Sequence, residues 1–584
     1  MTDNLPILSE SASFMLSDRY LSKGETPNDM YIRVANAYAD NSEHEKRLIK
    51  YMQRHWFMPA TPILSNGGTT RGLPISCFLN ETQDSLKGIV DLWNENVWLA
   101  SNGGGIGSYW GNLRSIGEKI KNSGKTSGVV PFMVVQDSLT LAISQGSLRR
   151  GSAALYLPIW HPEIEEFIDI RRPTGGDPNR KALNINNAVV INDEFMNAVE
   201  NGADWHLRSP KDNSIHRTIS ARDLWIRLLT ARIETGEPYI IYIDTINNYR
   251  PESYKKHGLF VKTSNLCSEI MLHTGLDHLN NERTAVCCLS SVNLEYYDDW
   301  ENNDIFIADI MRFLDNVLDD FIKRAPDTMA RAAYSAMRER SVGLGVMGFH
   351  SYLQSKLIPF ESVVAKSYNL KIFKYLKEQT DKASYELAKE KGASPDNADL
   401  GIIERFTHKM AIAPTASISI IAGNTSPGIE PYFANSFTQK TLSGSFTILN
   451  RQLKKLLDSK DIDHASVWKS ITSNEGSVQH LECLSDNEKM VFKTAFEIDQ
   501  RWLIEHSGDR TPYICQGQSL NLFLSVNVSK KELHEIHLLA WKKGLKSLYY
   551  QRAKVVNRAD KIMDEAQAEF TYDDTNDDEC LSCQ

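Results

Sequence analysis

Cys267 is flanked at two-residue spacing by Asn265 and Glu269, which puts a thiol, an amide and a carboxylate on one short stretch of chain. In an extended strand or loop, alternate side chains point the same way, so all three are expected to face one cavity. There the thiol can be oxidised, the carboxylate can take a proton and the amide can hold a substrate by hydrogen bonds. Cys77 in SerCysPheLeu and Cys287, followed by CysLeuSer, stand among small residues suited to a crowded pocket. Cys580 and Cys583 form a CysXXCys pair beyond a run of eight acidic and no basic residues from Asp564 to Glu579. That run is too charged to bury, so the pair is expected to be a mobile dithiol. Taken alone, Cys267 reads equally well as a buried strand cysteine. The tail pair could be half a zinc site, but no second CysXXCys or nearby histidine pair completes four ligands, and no metal site is expected.

Such a site must be gathered from distant loops. From Thr61 onward, short apolar runs such as SerAlaAlaLeuTyrLeuProIle, AlaValValIle and ProTyrIleIleTyrIle alternate with helical patterns such as AspGluPheMetAsnAlaVal and AlaArgAspLeuTrpIleArgLeu. This alternation predicts an α/β fold, either a barrel or a doubly wound sheet. Residues 1–60 read as helical, with SerGluSer and ThrProAsnAsp as helix starts. Three regions are expected: helical 1–60, catalytic 61–563 and a flexible acidic tail 564–584.

The 584 residues, 41% hydrophobic and 24% charged, are typical of a soluble protein with room for a large core. The net charge of −9 includes no basic block, so neither nucleic acid nor an anionic membrane is an expected partner. No run of 18 apolar residues and no signal-peptide pattern is present, so a cytoplasmic location is expected. In that reducing compartment, eight cysteines point to thiol chemistry rather than a disulfide framework.

AsnLeuCysSerGlu, SerCysPheLeu, CysCysLeuSer, ArgArgGlySerAlaAla, LeuGlyValMetGlyPhe, AlaProThrAlaSerIleSer and the terminal CysLeuSerCys together resemble the large, catalytic subunit of class I ribonucleotide reductases. The resemblance runs the length of the chain. It implies a ten-stranded α/β barrel that reduces ribonucleoside diphosphates. Cys267 would become a thiyl radical and abstract the 3′-hydrogen, with Glu269 as general base and Asn265 as the residue holding the sugar. Cys77 and Cys287 would supply two electrons and close to a disulfide, which Cys580 and Cys583 would reduce by exchange before meeting thioredoxin or glutaredoxin. Cys288 is read as packing on the opposite face. Tyr549 and Tyr550, otherwise just two core aromatics, would relay the radical from a ferritin-like small subunit that carries the radical cofactor. No cofactor is expected to be bound covalently in this chain.

The resemblance also places substrate contacts at Thr61, Ser76, Thr415, Ala416, Ser417 and Ile418, the last four at a helix start where a phosphate could sit. Without it, that start reads as an ordinary N-cap. Asp84, Arg114, Lys121, Gln145 and Arg150 would hold a dNTP or ATP effector, with magnesium, at a homodimer contact. Lys121 stands where many relatives have arginine, and Cys515 where they often have an acid. Because Cys77 comes so early, no ATP cone for on/off control is expected. GlyLeuGlyValMetGly, residues 343–348, fits a dinucleotide pattern but lacks the βαβ context. Two other readings stay open: an adenosylcobalamin-dependent class II reductase, and a thiol–disulfide oxidoreductase using only the tail pair.

Overall fold

The computed structural model describes residues 6, 8–120, 124–143, 152–441, 444–462, 464–525 and 527–554. Lys121, Gln145, Arg150, Cys580 and Cys583 lie outside the described residues. The N-terminal helices begin where the sequence signals them. Ser9 caps helix Glu10–Met15 by accepting from the Ala12 amide, and Thr26 and Asp29 form a reciprocal capping box at the head of Pro27–Tyr38. These helices and Ser42–Gln53 bury Tyr31, Val34, Leu48 and Met52. Helices Pro27–Tyr38 and Ser42–Gln53 are pinned to helix Phe306–Arg324, where Asp309 accepts from Arg47 Nε at 2.6 Å and the Tyr51 hydroxyl at 3.0 Å, and Asp320 accepts from Tyr38 at 2.9 Å.

The core is a closed sheet made of two halves. In the first, β1 (Cys77–Glu81), β2 (Gly105–Tyr109), β3 (Ser152–Pro158), β4 (Asn186–Ile191) and β5 (Tyr239–Tyr242) pair in order, all parallel. In the second, β6 (Ala285–Asn293) pairs in parallel with β7 (Val342–Met347). Single parallel bridges, Leu344 to Met410 and Ile412 to Gln518, then carry the sheet through segment 409–412 to the strand that continues as β8 (Leu522–Ser525). β8 lies parallel to β10 (Gln551–Lys554), which follows β9 (Ser547–Leu548) directly. Two antiparallel seams, β6 on β1 and β9 on β5, join the halves and close the ring. With segment 409–412 as one strand and β9 and β10 as one, each half has five strands, the ten-stranded barrel that the resemblance implied. Strands covered on both faces by the same chain read as unbroken apolar runs, and β3, β4 and β5 do so.

Residues 263–270 enter this barrel and fill its centre. Gly107, in the middle of β2, lies against them so closely that a Cβ there would fall 1.7 Å from the Ser264 carbonyl oxygen. From the facing half, the Gly517 amide donates to the Glu269 carbonyl at 2.8 Å, and the Ser547 hydroxyl donates to the Ser268 carbonyl at 2.8 Å. The inserted loop is thus bonded to both halves, and glycine is required where the backbones meet. We expect Gly107→Ala to cost at least about 1–3 kcal/mol, the range for overpacking a core, read as a shift in the denaturation midpoint. Wild-type stability in that variant would contradict the close approach.

Candidate active site

The three residues flagged first are brought together by a turn rather than by strand alternation, a correction to the extended reading. Ser268, just after Cys267, adopts the left-handed conformation at φ 63°, which reverses the chain. Asn265 stabilises that turn: its Oδ1 accepts from the amides of Glu269 at 3.1 Å and Ile270 at 3.2 Å. The Tyr156 hydroxyl of β3 donates to the Asn265 carbonyl. The Ser519 hydroxyl sits between the Cys267 carbonyl and Glu269 Oε2, the latter 3.1 Å away. With a single proton to give, it serves one acceptor at a time. Asn265, Cys267 and Glu269 are all fully buried.

Cys77 and Cys287 stand directly opposite one another on the β1–β6 seam. Directly opposed residues of an antiparallel pair have Cα atoms about 4.5–5.5 Å apart. That lies inside the roughly 4.4–6.8 Å span of a disulfide, so the register is compatible with a bond between the two cysteines. Cys287 Sγ accepts from Gln516 Nε2 at 3.3 Å, while Gln516 Oε1 accepts from the Met271 amide at 3.1 Å, tying the dithiol seam to the end of the inserted loop. A Cβ at Gly343 would come within 3.0 Å of the Cys287 sulfur, so the GlyLeuGly run clears space for a thiol. Burial pushes the Cys287 thiol well up, with the neighbouring Cys288, Glu269 and Cys515 adding to it. Cys288, one residue on, faces the other side of the sheet and is likewise pushed up by burial.

On the far side of the loop, the Tyr549 hydroxyl donates to Cys267 Sγ at 3.5 Å. Tyr549 and Tyr550 have ring centroids 4.4 Å apart. A third phenol, Tyr239 at the start of β5, lies 4.7 Å from the first and 5.0 Å from the second. Asn186 Nδ2 donates to the Tyr550 hydroxyl at 3.0 Å. Burial holds the Tyr239 and Tyr550 hydroxyls in their protonated form, so an electron leaves this cluster only with a proton.

Profiles described as "Ribonucleotide reductase, barrel domain" and "Ribonucleotide reductase, all-alpha domain" match residues 75–399 with 403–551, and 8–72, respectively. The chain belongs to the ribonucleotide reductase large-subunit family. It is 42% identical to the putative ribonucleoside-diphosphate reductase large subunit of Frog virus 3, over 100% of this chain and 99% of that protein. With the large subunit of Invertebrate iridescent virus 3 it shares 40% identity over 97% of each. Among solved structures, the class Id ribonucleotide reductase alpha subunit of Actinobacillus ureae superposes with a TM-score of 0.83 at 36% identity, covering 94% of this chain and 98% of that one.

The reductase's phosphate candidates sit at one end of the barrel. Because the halves run in opposite directions, the start of β1, where Ser76 lies, and the end of segment 409–412, which leads to Thr415, are at the same end. Thr61 is tied there through its hydroxyl, 2.8 Å from that of Tyr20, and helix Glu10–Met15 packs on helix Ala416–Ile421. Thr415 takes φ 57° and its hydroxyl accepts from the Gly428 amide at 2.7 Å, so its side chain shapes the loop. The Ser76 hydroxyl is buried without a hydrogen-bond partner. Of the effector candidates, Asp84 and Arg114 meet in a bidentate pair, Nε to Oδ1 at 3.1 Å and Nη2 to Oδ2 at 2.8 Å, so each already occupies part of the other's hydrogen-bonding capacity.

Several residues went unnoticed in the sequence. In the sequence Tyr239 is only part of an apolar strand, and nothing there singles out Gln516 or Ser519. Lys546 gave no signal, yet its buried Nζ donates to the carbonyls of Ile514, Cys515 and Gln516 at 2.7, 2.9 and 2.7 Å, and burial pulls it down to about 8. Cys515 now has a physical account: its Sγ accepts the amides of Lys409 at 3.1 Å and Met410 at 3.2 Å, an acceptor task that a carboxylate oxygen could also perform. Cys483 is exposed and no role emerges for it.

Alkylation requires a thiolate, and a thiol whose pKa is raised stays protonated as pH climbs. With iodoacetamide at about pH 8, we expect the exposed Cys483 of the folded chain to react before the buried Cys287 and Cys288. Peptide mapping that finds equal rates would show the barrel interior open to solvent.

Proposed function

We propose that this chain is the catalytic subunit of a class I ribonucleoside-diphosphate reductase. Cys267 abstracts the ribose 3′-hydrogen, Glu269 takes the 3′-hydroxyl proton and Asn265 positions the sugar. Cys77 and Cys287 give two electrons and two protons as the 2′-hydroxyl leaves as water, and they end as a disulfide. The observation that carries this reading is the Tyr549 hydroxyl on the Cys267 sulfur, with the rings of Tyr550 and Tyr239 packed at an angle behind it. A hydrogen bond from a phenol to a thiol is a path for one hydrogen atom, and little else explains three packed phenols ending on a buried sulfur. The oxidising equivalent then comes from a separate, ferritin-like small subunit.

Substrate phosphates would meet Ser76, Thr61 and residues Thr415, Ala416, Ser417 and Ile418. Cys580 and Cys583, in the region 564–584, would exchange with the Cys77–Cys287 disulfide and pass electrons from thioredoxin or glutaredoxin. A homodimer would form through the helices beside Asp84. On Leu86–Ser101, Leu86, Val90 and Trp98 are 69%, 48% and 42% exposed, and on the neighbouring Val130–Ala142, Leu141 is 52% exposed. Large apolar side chains grouped on a helix pair mark a contact surface. An effector dNTP or ATP, with magnesium, would bind at that contact through Asp84, Arg114, Lys121, Gln145 and Arg150.

Assayed for deoxyribonucleoside diphosphate formation with a small subunit, Cys267→Ser and Tyr549→Phe are expected to fall to background with the fold intact. Glu269→Gln should lose about 10²–10⁴-fold in turnover, the usual share of a positioned base. Turnover by the chain alone with adenosylcobalamin would sink the class I reading, and full activity in Tyr549→Phe would sink the relay. Separately, Val90→Glu is expected to convert a dimer to a monomer in sedimentation, an outcome that an unchanged mass would refute.

A further inference from the structure

Four metal-ligating side chains, far apart in sequence, meet outside the catalytic centre. His257 ends helix Glu252–His257, His278 lies in the loop between Gly275–Leu276 and Glu282–Arg283, and Asp396 and Asp399 lie in and just after helix Pro395–Ala398. One ligand atom from each falls within 4.8 Å of all the others. The two imidazoles overlap with centroids 3.7 Å apart and planes 17° from parallel.

The hydrogen bonds around the cluster leave lone pairs aimed at nothing. His257 Nε2 lies 2.8 Å from the Asp396 carbonyl oxygen, which requires the proton on Nε2 and leaves Nδ1 a bare acceptor. Both ring nitrogens of His278 are shut off from solvent and make no hydrogen bond. A buried polar group in that state costs about 1–3 kcal/mol, so its retention needs a reason. The carboxylates are already oriented. Asp396 Oδ1 accepts from Arg338 Nε at 2.8 Å and Arg283 Nη2 at 3.1 Å, while Oδ2 accepts from Arg283 Nη1 at 2.7 Å. Asp399 Oδ2 accepts from Arg338 Nη2. Such outer partners are the usual means of aiming a carboxylate at an ion.

We propose that His257, His278, Asp396 and Asp399 bind one divalent transition-metal ion of the zinc type. Two neutral imidazoles and two carboxylates form a four-coordinate nitrogen–oxygen set whose charge the ion cancels. On binding, the rings slide out of overlap so that one nitrogen of each converges on the metal. The ion then clips together three surface elements on the flank of the barrel and stabilises the fold by mass action. It takes no part in the reduction.

The test uses the full chain carrying Cys580→Ser and Cys583→Ser, so that the tail thiols do not compete for metal. After chelator treatment and dialysis against zinc chloride, one zinc per chain is expected by elemental analysis, with a rise in Tm. His257→Ala, His278→Ala and the exposed Asp399→Asn should each retain the parent circular dichroism. The histidine variants should weaken zinc binding by more than about 100-fold, the upper end of what losing a mere outer partner costs. Cobalt substitution should give a tetrahedral spectrum without a thiolate charge-transfer band, a readout that stands even if a variant misfolds. No zinc in the parent, equal zinc in His278→Ala, or a thiolate band would each overturn the assignment.

Discussion

A loop of backbone runs through the middle of a closed sheet, and the rest of the structure accommodates it. Backbone amides and carbonyls buried that deeply must all find partners, because water is not there to serve them. The barrel supplies them from opposite walls: Tyr156 to the Asn265 carbonyl, Ser519 toward the Cys267 carbonyl, Ser547 to the Ser268 carbonyl and the Gly517 amide to the Glu269 carbonyl. Gly107 is a glycine because the loop's main chain passes where its Cβ atom would stand, and at Gly517 a Cβ would press on the end of the Met271 side chain. This over-determination holds Ser268 at a positive φ and fixes the sulfur of Cys267.

The same burial dictates the kind of chemistry that is affordable. Charge is expensive at the centre of the barrel, which keeps Cys287, Tyr239 and Tyr550 protonated. A mechanism that moved bare electrons or thiolates through this interior would work against that cost. Hydrogen atoms carry no net charge, so a phenol-to-thiol and thiol-to-carbon sequence avoids it. Glu269 is the exception among the three loop residues, an ionisable carboxylate with the Ser519 hydroxyl beside it.

Much of this was legible in the sequence, for identifiable reasons. Strands buried on both faces leave unbroken apolar runs, which located β3, β4 and β5, and capping boxes located the N-terminal helices. The cysteines stood out because their type is rare and their neighbours are small. What stayed hidden was non-local. Tyr239 is an ordinary strand residue until β9 lies down beside β5, and Gln516 matters only because Cys287 faces it across the barrel. The turn at Ser268 was misread as an extended stretch because a serine in the left-handed region has no local signature. The partnership of Asp84 with Arg114 was invisible for the same reason, since each was assigned a ligand rather than the other.

The two antiparallel seams set the tyrosine cluster apart from the paired cysteines. Cys77 and Cys287 lie on the seam between β1 and β6, whereas Tyr549 and Tyr550 follow the strand that makes the other seam, with Tyr239 on its partner β5. An oxidised tyrosine beside the dithiol would be quenched by it, because thiols give up hydrogen atoms readily. Closing the sheet from two opposed halves places these groups on different seams, with the inserted loop between them. Cys267 is the residue of that loop that the tyrosines reach, through the hydroxyl of Tyr549. On the relay proposed above, the loop would be both the conductor and the insulator: it would accept the oxidising equivalent through Cys267 and hold it apart from the Cys77–Cys287 pair until a substrate is in place to use both.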